Sequence, residues 1–176
     1  MLLKANGKQR TVKRTDEPDE RRFRTGEHPY GEWMDLALKQ AQLAGEEGEV
    51  PVGAVLVIGG EIVAEAHNSP IQLSDPTAHA EILVVREASA RVRNYRLADS
   101  TLVVTLEPCA MCAGALVNAR VGRLVFGSRD IRFGAVRSKF QLADSGILNH
   151  RVEVIEGVRG AECTALMKDF FEKRRG

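Results

Sequence analysis

Two apolar runs constrain the fold of this chain most strongly. Val52 to Ile58 is rich in β-branched residues, and "STLVVTLE" (Ser100 to Glu107) shows no polar alternation. A strand without alternation is typical of one that is covered on both faces. The sequence therefore predicts a central sheet with helices packed against both of its sides.

Helices and further strands are predicted around these two runs. A first helix follows Tyr30, where apolar residues recur at helical spacing. Gly59-Gly60 joins the first apolar run to "EIVAEAHN" as a β-hairpin. A second helix is expected within Ser74 to Val92, with Asp75 as its cap and Pro76 in its first position.

The second half of the chain continues the alternation of helix and strand. "CAMCAGALVNARV" predicts a third helix, "GRLVFG" and "HRVEVIEGV" two more strands, and "GAECTALMKDFFEKRRG" a final helix. The order predicts an α/β fold, a three-layer α/β/α sandwich around a mixed sheet of about five strands. We assign residues 29–176 to this domain and residues 1–28 to a charged, disordered leader.

Charge is distributed unevenly along the chain. Residues 1–25 hold eight lysines and arginines against four acidic residues, a net +4, and the remainder is −3. The leader is therefore either an unstructured segment or a basic arm that attracts a polyanion. The domain itself is not visibly basic, so a nucleic-acid site on it must be a local patch.

Composition and cysteine count indicate a cytoplasmic protein. A hydrophobic fraction of 44% and a charged fraction of 28% are ordinary for a globular domain. No apolar run reaches the ~18 residues of a membrane span, and the first residues lack the apolar core of a secretory signal. Three cysteines cannot form a full disulfide framework, so we expect a reducing compartment and no membrane partner.

Three residues form a candidate zinc site. His79 and the pair Cys109 and Cys112 supply imidazole and thiolate ligands, and the C-x-x-C spacing lets both sulfurs turn toward one ion at the start of a helix. Three protein ligands leave a position for water, which is typical of catalytic zinc. A redox-active C-x-x-C is the alternative, but the preceding Pro108 does not favour it.

Glu81 is the candidate proton carrier. One carboxylate beside the metal could take a proton from water and return it to a leaving group. Residues two apart on a regular helix point away from each other, so His79 and Glu81 can share a site only near the helix start or if Glu81 curls back. The combined pattern, H-x-E followed by P-C-x-x-C after a strand, is the signature of zinc deaminases.

The motifs resemble those of a known family. "HAE" and "PCAMC", with "EVPVGAVLV", "NYRL", "FGSRD", "NHRVEV" and "FFEKRR", closely resemble the bacterial tRNA-specific adenosine deaminases of the cytidine deaminase-like superfamily. The resemblance covers Tyr30 to Arg175. It implies hydrolytic deamination of the wobble adenosine to inosine in a tRNA anticodon stem-loop, by a homodimer with one zinc ion per subunit.

The resemblance also implies roles for individual residues. His79, Cys109 and Cys112 bind zinc, and Glu81 carries the proton. The expected contacts with substrate are Asn68 to the nucleoside, Val52 to the base, the Ala80 N–H to the purine edge, and Arg129, Asp130, Asn149, Lys173, Arg174 and Arg175 to the anticodon loop.

Structural alternatives remain open for several of these residues. Asn68 could cap a turn before Pro70, Arg129 and Asp130 could form a surface ion pair, and the basic segment 173–175 could be a solvated helix end. The other three histidines and the third cysteine are interpreted as structural residues rather than metal ligands: His28, His67, His150 and Cys163.

Two other functions remain as rivals. A deaminase of free bases or nucleosides would use the same ligands without contacts to RNA, and the motifs "NHRVEV" and "FFEKRR" favour the RNA enzyme over it. A structural zinc module would bind nucleic acid without chemistry. The missing fourth ligand and the presence of Glu81 argue against that module.

Overall fold

The structure is a computed structural model that describes residues 30–175. The predicted leader, residues 1–28, and His28 lie outside this part of the chain. The helices are α1 (Gly31–Glu46), α2 (Pro70–Leu73), α3 (Ala80–Val92), α4 (Ala110–Asn118) and α5 (Gly160–Arg175). The strands are β1 (Gly53–Ile58), β2 (Glu61–His67), β3 (Ser100–Leu106), β4 (Arg123–Ser128) and β5 (Glu153–Glu156).

The five strands form one mixed sheet in the order β2-β1-β3-β4-β5. The hairpin β1–β2 is antiparallel, and β1 also runs antiparallel to β3. The β3–β4 and β4–β5 pairs are parallel, with Val103 beside Val125 and Val125 beside Ile155. The carboxyl end of β3 therefore opens onto the N-terminus of α4, where the cysteine pair lies.

Two apolar cores lie on opposite faces of the sheet. Alternate residues of β1 and β3 point into different cores: Leu56 and Leu102 pack toward α3 and α4, whereas Val55 and Val103 pack toward α1 and α5. The central strands are buried along nearly their whole length because both faces are covered. The predicted three-layer α/β/α sandwich around five strands is confirmed.

The predicted start of the second helix is wrong. Asp75 does not cap a helix, because its Oδ1 accepts hydrogen bonds from the Thr77 N–H at 2.8 Å and the Thr77 hydroxyl at 2.7 Å. These bonds close a tight turn through Pro76, and the helix begins only at Ala80. The short helix α2, Pro70–Leu73, precedes this turn and was not predicted from the sequence.

Gly53 lets the first helix lie directly on the sheet. A Cβ at this position would come within 2.1 Å of the Ala37 carbonyl oxygen and 2.4 Å of the Ala41 nitrogen. Only glycine permits this approach of α1 to β1. Among the described residues, no helix combines the length and apolar character required to cross a bilayer.

Candidate metal centre and active site

His79, Cys109 and Cys112 meet at one point. The His79 Nδ1 lies 3.7 Å from the Cys109 Sγ and 3.5 Å from the Cys112 Sγ, and the three potential ligand atoms all lie within 4.8 Å of one another. The imidazole comes from the start of α3 and the sulfurs from the start of α4. The structure thus brings together the three candidate ligands that the sequence predicts, although His79 is 30 and 33 positions away from the two cysteines in the chain.

The spacing of these atoms fits a tetrahedral zinc ion. Typical Zn–S and Zn–N bonds with a tetrahedral angle place a sulfur and a nitrogen ligand about 3.5–3.6 Å apart. The two observed sulfur-to-nitrogen distances, 3.5 and 3.7 Å, bracket that value. Two thiolates and one imidazole are also a ligand set that zinc prefers. The residues present therefore fit the metal.

Helix N-termini hold the ligands in place. His79 is the N-cap of α3, with extended backbone angles of φ −74° and ψ 149°. Cys109 is likewise the extended N-cap of α4, at φ −72° and ψ 176°, and Cys112 follows in the first turn. The free N–H groups and the positive end of each helix dipole favour thiolate at this point.

The cysteines and the histidine titrate as a coupled group. The hydrogen bond from the Cys112 thiol and the hydrogen bond with His79 together lower the pKa of Cys109 to about 4, although burial opposes both effects. The bond that Cys112 donates to Cys109 and its own burial raise the pKa of Cys112. Hydrogen bonding to Cys109 raises the pKa of His79. The lowered pKa of Cys109 favours its thiolate form, and the raised pKa of Cys112 means that a proton must leave this thiol when it becomes a ligand.

Glu81 lies beside the three ligands. Its position in the first turn of α3, two residues after the N-cap His79, resolves the geometric conflict raised by the sequence. The side chain is only 4% exposed and hydrogen-bonds to Cys112. Burial raises the pKa of Glu81, although hydrogen bonds and the nearby His79 oppose the shift. A buried carboxyl with a raised pKa suits transfer of protons in both directions near neutral pH.

Val52, Asn68 and Ala80 form a connected wall next to the ligands. The Asn68 N–H donates to the Val52 carbonyl oxygen at 2.9 Å, and the Asn68 Oδ1 accepts from the Ala80 N–H at 3.0 Å. Asn68 and Val52 are 7% and 4% exposed. The Asn68 Oδ1 accepts the Ala80 N–H, and the Nδ2 hydrogens are the donors that the side chain offers to a ligand.

Comparison with known proteins identifies the family. The family described as the cytidine and deoxycytidylate deaminase zinc-binding region matches residues 28–128, more than half of the chain. The tRNA-specific adenosine deaminase of Haemophilus influenzae is 50% identical over 143 residues, which cover 81% of this chain and 83% of that protein. The chain belongs to the tRNA-specific adenosine deaminase family.

Further comparisons agree with membership of the tRNA-specific adenosine deaminase family. The family member from Bacillus subtilis is 46% identical over 143 residues, or 81% of this chain and 89% of that protein. A solved structure from studies of A-to-I editing by tRNA:A34 deaminases at the wobble position of transfer RNA superposes with a TM-score of 0.75 at 42% identity. The match covers 77% of this chain and 98% of that one, so the family and the fold predicted from the motifs are both confirmed.

Arg129 and Asp130 follow β4 at the edge of the sheet that carries the metal ligands. They do not form the ion pair considered from the sequence. Arg129 instead pairs with Glu156, at 2.8 and 2.9 Å, and the Asp130 Oδ1 accepts the N–H groups of Arg132 and Phe133. The Asp130 side chain thus shapes the loop after β4.

Asn149 lies at the opposite edge of the sheet within its own chain. Its carbonyl oxygen and its Oδ1 both accept hydrogen bonds from Arg120, at 3.0 and 2.7 Å. Arg120 follows the C-terminal end of α4, whereas Cys109 stands at the N-terminal end, about 13 Å of helix away. The structure therefore does not bring Asn149 together with the metal ligands of the same chain.

The basic end of α5 returns toward the metal-site edge. The Arg174 guanidinium donates to the Gly48 carbonyl oxygen and lies over the Phe170 ring, 4.5 Å from its centroid. Gly48 lies four residues before Val52, and Lys173 and Arg174 are exposed. Arg174 is thus partly a structural contact between α5 and the turn after α1.

Two buried carboxylates were not singled out from the sequence. Glu49 is 2% exposed and accepts the N–H groups of Ile71 and Gln72. Glu107, also 2% exposed, accepts several N–H groups from the loop after β4. The signal for Glu107 was a charge that directly ends an apolar strand.

His67, His150 and Cys163, which the structure describes, have structural surroundings. His67 contacts Gln40 and Glu47, and the His150 Nε2 donates to the Val121 carbonyl oxygen at 2.7 Å. Cys163 is 2% exposed in the core beneath α5, and burial raises the pKa of its thiol to about 12. Cys163 is therefore a buried structural thiol.

Proposed function

We propose that this protein catalyses zinc-dependent hydrolytic deamination of the wobble adenosine to inosine in a tRNA anticodon loop. One observation carries the proposal: three zinc-type ligands converge at two helix N-termini, directly beside the buried Glu81. Membership of the tRNA-specific adenosine deaminase family supports this substrate, because relatives of 50% and 46% identity bear that name.

In this proposal His79, Cys109 and Cys112 hold one zinc ion per subunit. Zinc held by three protein ligands supplies a Lewis acid that lowers the pKa of water toward ~7. The lowered pKa of the Cys109 thiol, about 4, favours the thiolate form that a zinc ligand requires. His79 contributes its Nδ1, the ring atom that lies near both sulfurs.

Glu81 moves protons between water and the base. It first takes a proton from the attacking water and delivers it to the ring nitrogen N1 of adenine while the oxygen bonds to C6. It then takes the proton of the new C6 hydroxyl and passes it to the exocyclic nitrogen, so that the C6–N bond breaks, ammonia leaves and C6 becomes a carbonyl carbon. A raised pKa suits both acceptance and donation, and the low exposure of Glu81 keeps bulk water from these transfers.

The wall beside the ligands receives the target base. Val52 offers an apolar contact to the purine, and the Asn68 Nδ2 donates to the nucleoside. The Ala80 N–H, which bonds to Asn68 in the free protein, contacts the purine edge after that bond is exchanged. The target base must leave its stack to enter, which costs a few kcal/mol at most in a single-stranded loop.

Basic and polar residues around the site bind the anticodon loop. Arg129 and Asp130 belong to the loop after β4, and the segment Lys173, Arg174 and Arg175 ends α5. Arg129 and Asp130, from the loop, and Lys173 and Arg174, from α5, lie at the same edge of the sheet. Contacts from two separate elements at one edge suit a curved strand of RNA. Asn149 is proposed to contact RNA bound mainly by the other subunit, since it lies at the far edge of its own chain.

We also propose that the protein is a cytoplasmic homodimer. Large apolar side chains are exposed on the short helix α2, where Ile71 is 69% and Leu73 is 56% exposed. Exposed apolar groups of this size favour burial against a second copy. All three cysteines are free thiols, which agrees with a reducing compartment. Light scattering of the purified protein measures the mass directly.

A parallel assay tests the substrate. Zinc-loaded protein is incubated with an anticodon stem-loop that bears a wobble adenosine, and separately with free adenosine, cytidine and guanine. We expect inosine and ammonia from the stem-loop alone. Turnover of a free base or nucleoside would instead favour the small-molecule deaminase, and zinc-dependent RNA binding with no turnover of any substrate would indicate a structural zinc module.

A further inference from the structure

The carboxylate of Glu107 gathers an unusual number of donors. Its Oε1 accepts three backbone N–H groups at 2.6 to 3.1 Å, and its Oε2 accepts one N–H at 3.0 Å and a hydroxyl. The donors are the N–H groups of Val136, Arg137, Ser138 and Asp130 and the Ser138 hydroxyl. We name residues 129–138 the Glu107 loop.

The Glu107 loop also contacts the start of the cysteine helix. The Ala135 N–H donates to the Pro108 carbonyl oxygen at 2.8 Å, and Gly134 forms an isolated antiparallel bridge with Cys109. A Cβ on Gly134 would lie 2.4 Å from the Glu107 carboxylate, so only glycine fits there. The loop is therefore packed against the segment that presents a metal ligand.

The outer face of the loop is open. Ile131 is 76% exposed and Phe133 is 68% exposed, and Arg129 is exposed as well. The N–H of Asp130 is bonded to Glu107, and its carboxylate holds the turn at Arg132 and Phe133. One buried side chain thus fixes the base of a loop that packs against Pro108 and Cys109 and that keeps Ile131 and Phe133 exposed.

We infer that Glu107 is a positioning residue that sets the affinity for the nucleotides on either side of the target adenosine. It acts by holding the Glu107 loop beside Cys109, and it touches neither substrate nor metal. The inference rests on the proposed function, because it assigns to the loop the recognition of flanking RNA.

The bonding pattern requires a carboxylate rather than an amide. All five partners of Glu107 are donors, and an ionised carboxylate is acceptor-only. A glutamine offers one oxygen and one NH₂ group. If its NH₂ group takes the position of Oε1, it faces three backbone N–H groups. If it takes the position of Oε2, it faces the Asp130 N–H. Glu107→Gln therefore keeps the size of the side chain and releases part of the loop.

The test measures kcat and KM of Glu107→Gln on the anticodon stem-loop with zinc-loaded enzyme. We expect KM to rise about tenfold while kcat changes by less than about twofold. Zinc content should stay at one ion per subunit. Hydrogen exchange without RNA should be faster at the amides of Asp130 and Val136 to Ser138. Ser138→Ala removes one donor only and should raise KM less, in the same direction.

Two control variants separate positioning from a general loss of stability. Glu153→Gln breaks an ion pair with Arg123 at the opposite edge of the sheet, where the atoms are 2.7 Å apart. Cys163→Ala opens a small gap in the core on the other face of the sheet. Both should lower the thermal midpoint without changing KM.

The outcomes distinguish the two proposals. A wild-type enzyme that does not deaminate the stem-loop refutes the proposed function, and the inference falls with it. An active wild type with unchanged KM in Glu107→Gln and Ser138→Ala overturns only the inference. A rise in KM accompanied by loss of zinc, or equally large in Cys163→Ala, overturns it as well. A rise in KM with intact zinc, absent from both controls, supports it.

Discussion

Replacement of Glu81 by glutamine is the most direct test of the proton path. The substitution keeps the shape of a side chain that is only 4% exposed and removes its ability to accept a proton. Zinc binding and RNA binding should persist, because neither the three ligands nor the base wall is altered. Turnover of the stem-loop should be lost.

The expected magnitude follows from the number of transfers and from burial. General acid–base catalysis contributes about 10² to 10⁴ to a rate, and Glu81 is proposed to carry two protons in sequence. Its burial prevents bulk water from replacing it, so the upper value applies. We therefore expect kcat to fall by about 10⁴, which corresponds to about 5 kcal/mol in activation free energy.

Stability should respond in the opposite direction. Burial raises the pKa of Glu81 above that of the unfolded chain, so the ionised carboxylate opposes folding at neutral pH. Glutamine removes this cost. The thermal midpoint of the variant at pH 7 should therefore equal or exceed that of the wild type, and the difference should disappear as the pH falls and Glu81 becomes protonated.

Three measurements on one preparation check this reasoning. Single-turnover inosine formation gives the chemical rate, elemental analysis gives zinc per subunit, and fluorescence anisotropy gives the RNA dissociation constant. Glu153→Gln is the control, since it removes an exposed carboxylate at the far edge of the sheet. A Glu81→Gln enzyme that retains more than about a tenth of the normal rate would show that another group transfers the proton.

Three further predictions concern the metal, the core and the RNA contacts. Zinc affinity should increase about tenfold per pH unit for each proton released, because the pKa of Cys112 is raised; competition with a chelator between pH 6 and 8 measures this. Gly127→Ala should lower the free energy of unfolding by about 1–3 kcal/mol, since its Cβ would lie 2.3 Å from the Cys163 Sγ, and Cys163→Ala should recover part of the loss in a denaturant titration. Lys173→Ala should reduce the salt dependence of RNA binding by about 0.7 in log–log slope, and an unchanged slope would remove Lys173 from the contact surface.

The chemistry of the site could be predicted from sequence because it depends on residue types and short spacings. The two cysteines lie three positions apart in one helical turn, and Glu81 follows His79 by two positions. Ligand preference is a property of side-chain chemistry, so zinc followed from these residues before any distance was known. The apolar runs likewise predicted strands covered on both faces, because a strand that is buried on both faces has apolar residues at successive positions.

Local competition for hydrogen bonds could not be predicted in the same way. The Asp75 carboxylate could accept hydrogen bonds either from the first turn of a helix or from a tight turn, and in the structure it accepts them from Thr77 in a tight turn. That choice delays the helix to Ala80, which in turn allows His79 and Glu81 to face one site. The two outcomes differ by a few hydrogen bonds of similar strength, so propensity alone does not decide between them.

What the sequence determined by itself is the set of candidate ligands, the candidate proton carrier and the layered α/β architecture, because these follow from side-chain chemistry and hydrophobic period. Only the tertiary structure decided which donors surround Glu107, that Arg129 pairs with Glu156, and that Asn149 stands at the far edge of the sheet. These contacts join residues 23 to 31 positions apart. Such pairings depend on how strands and loops are stacked in space, which no local pattern encodes.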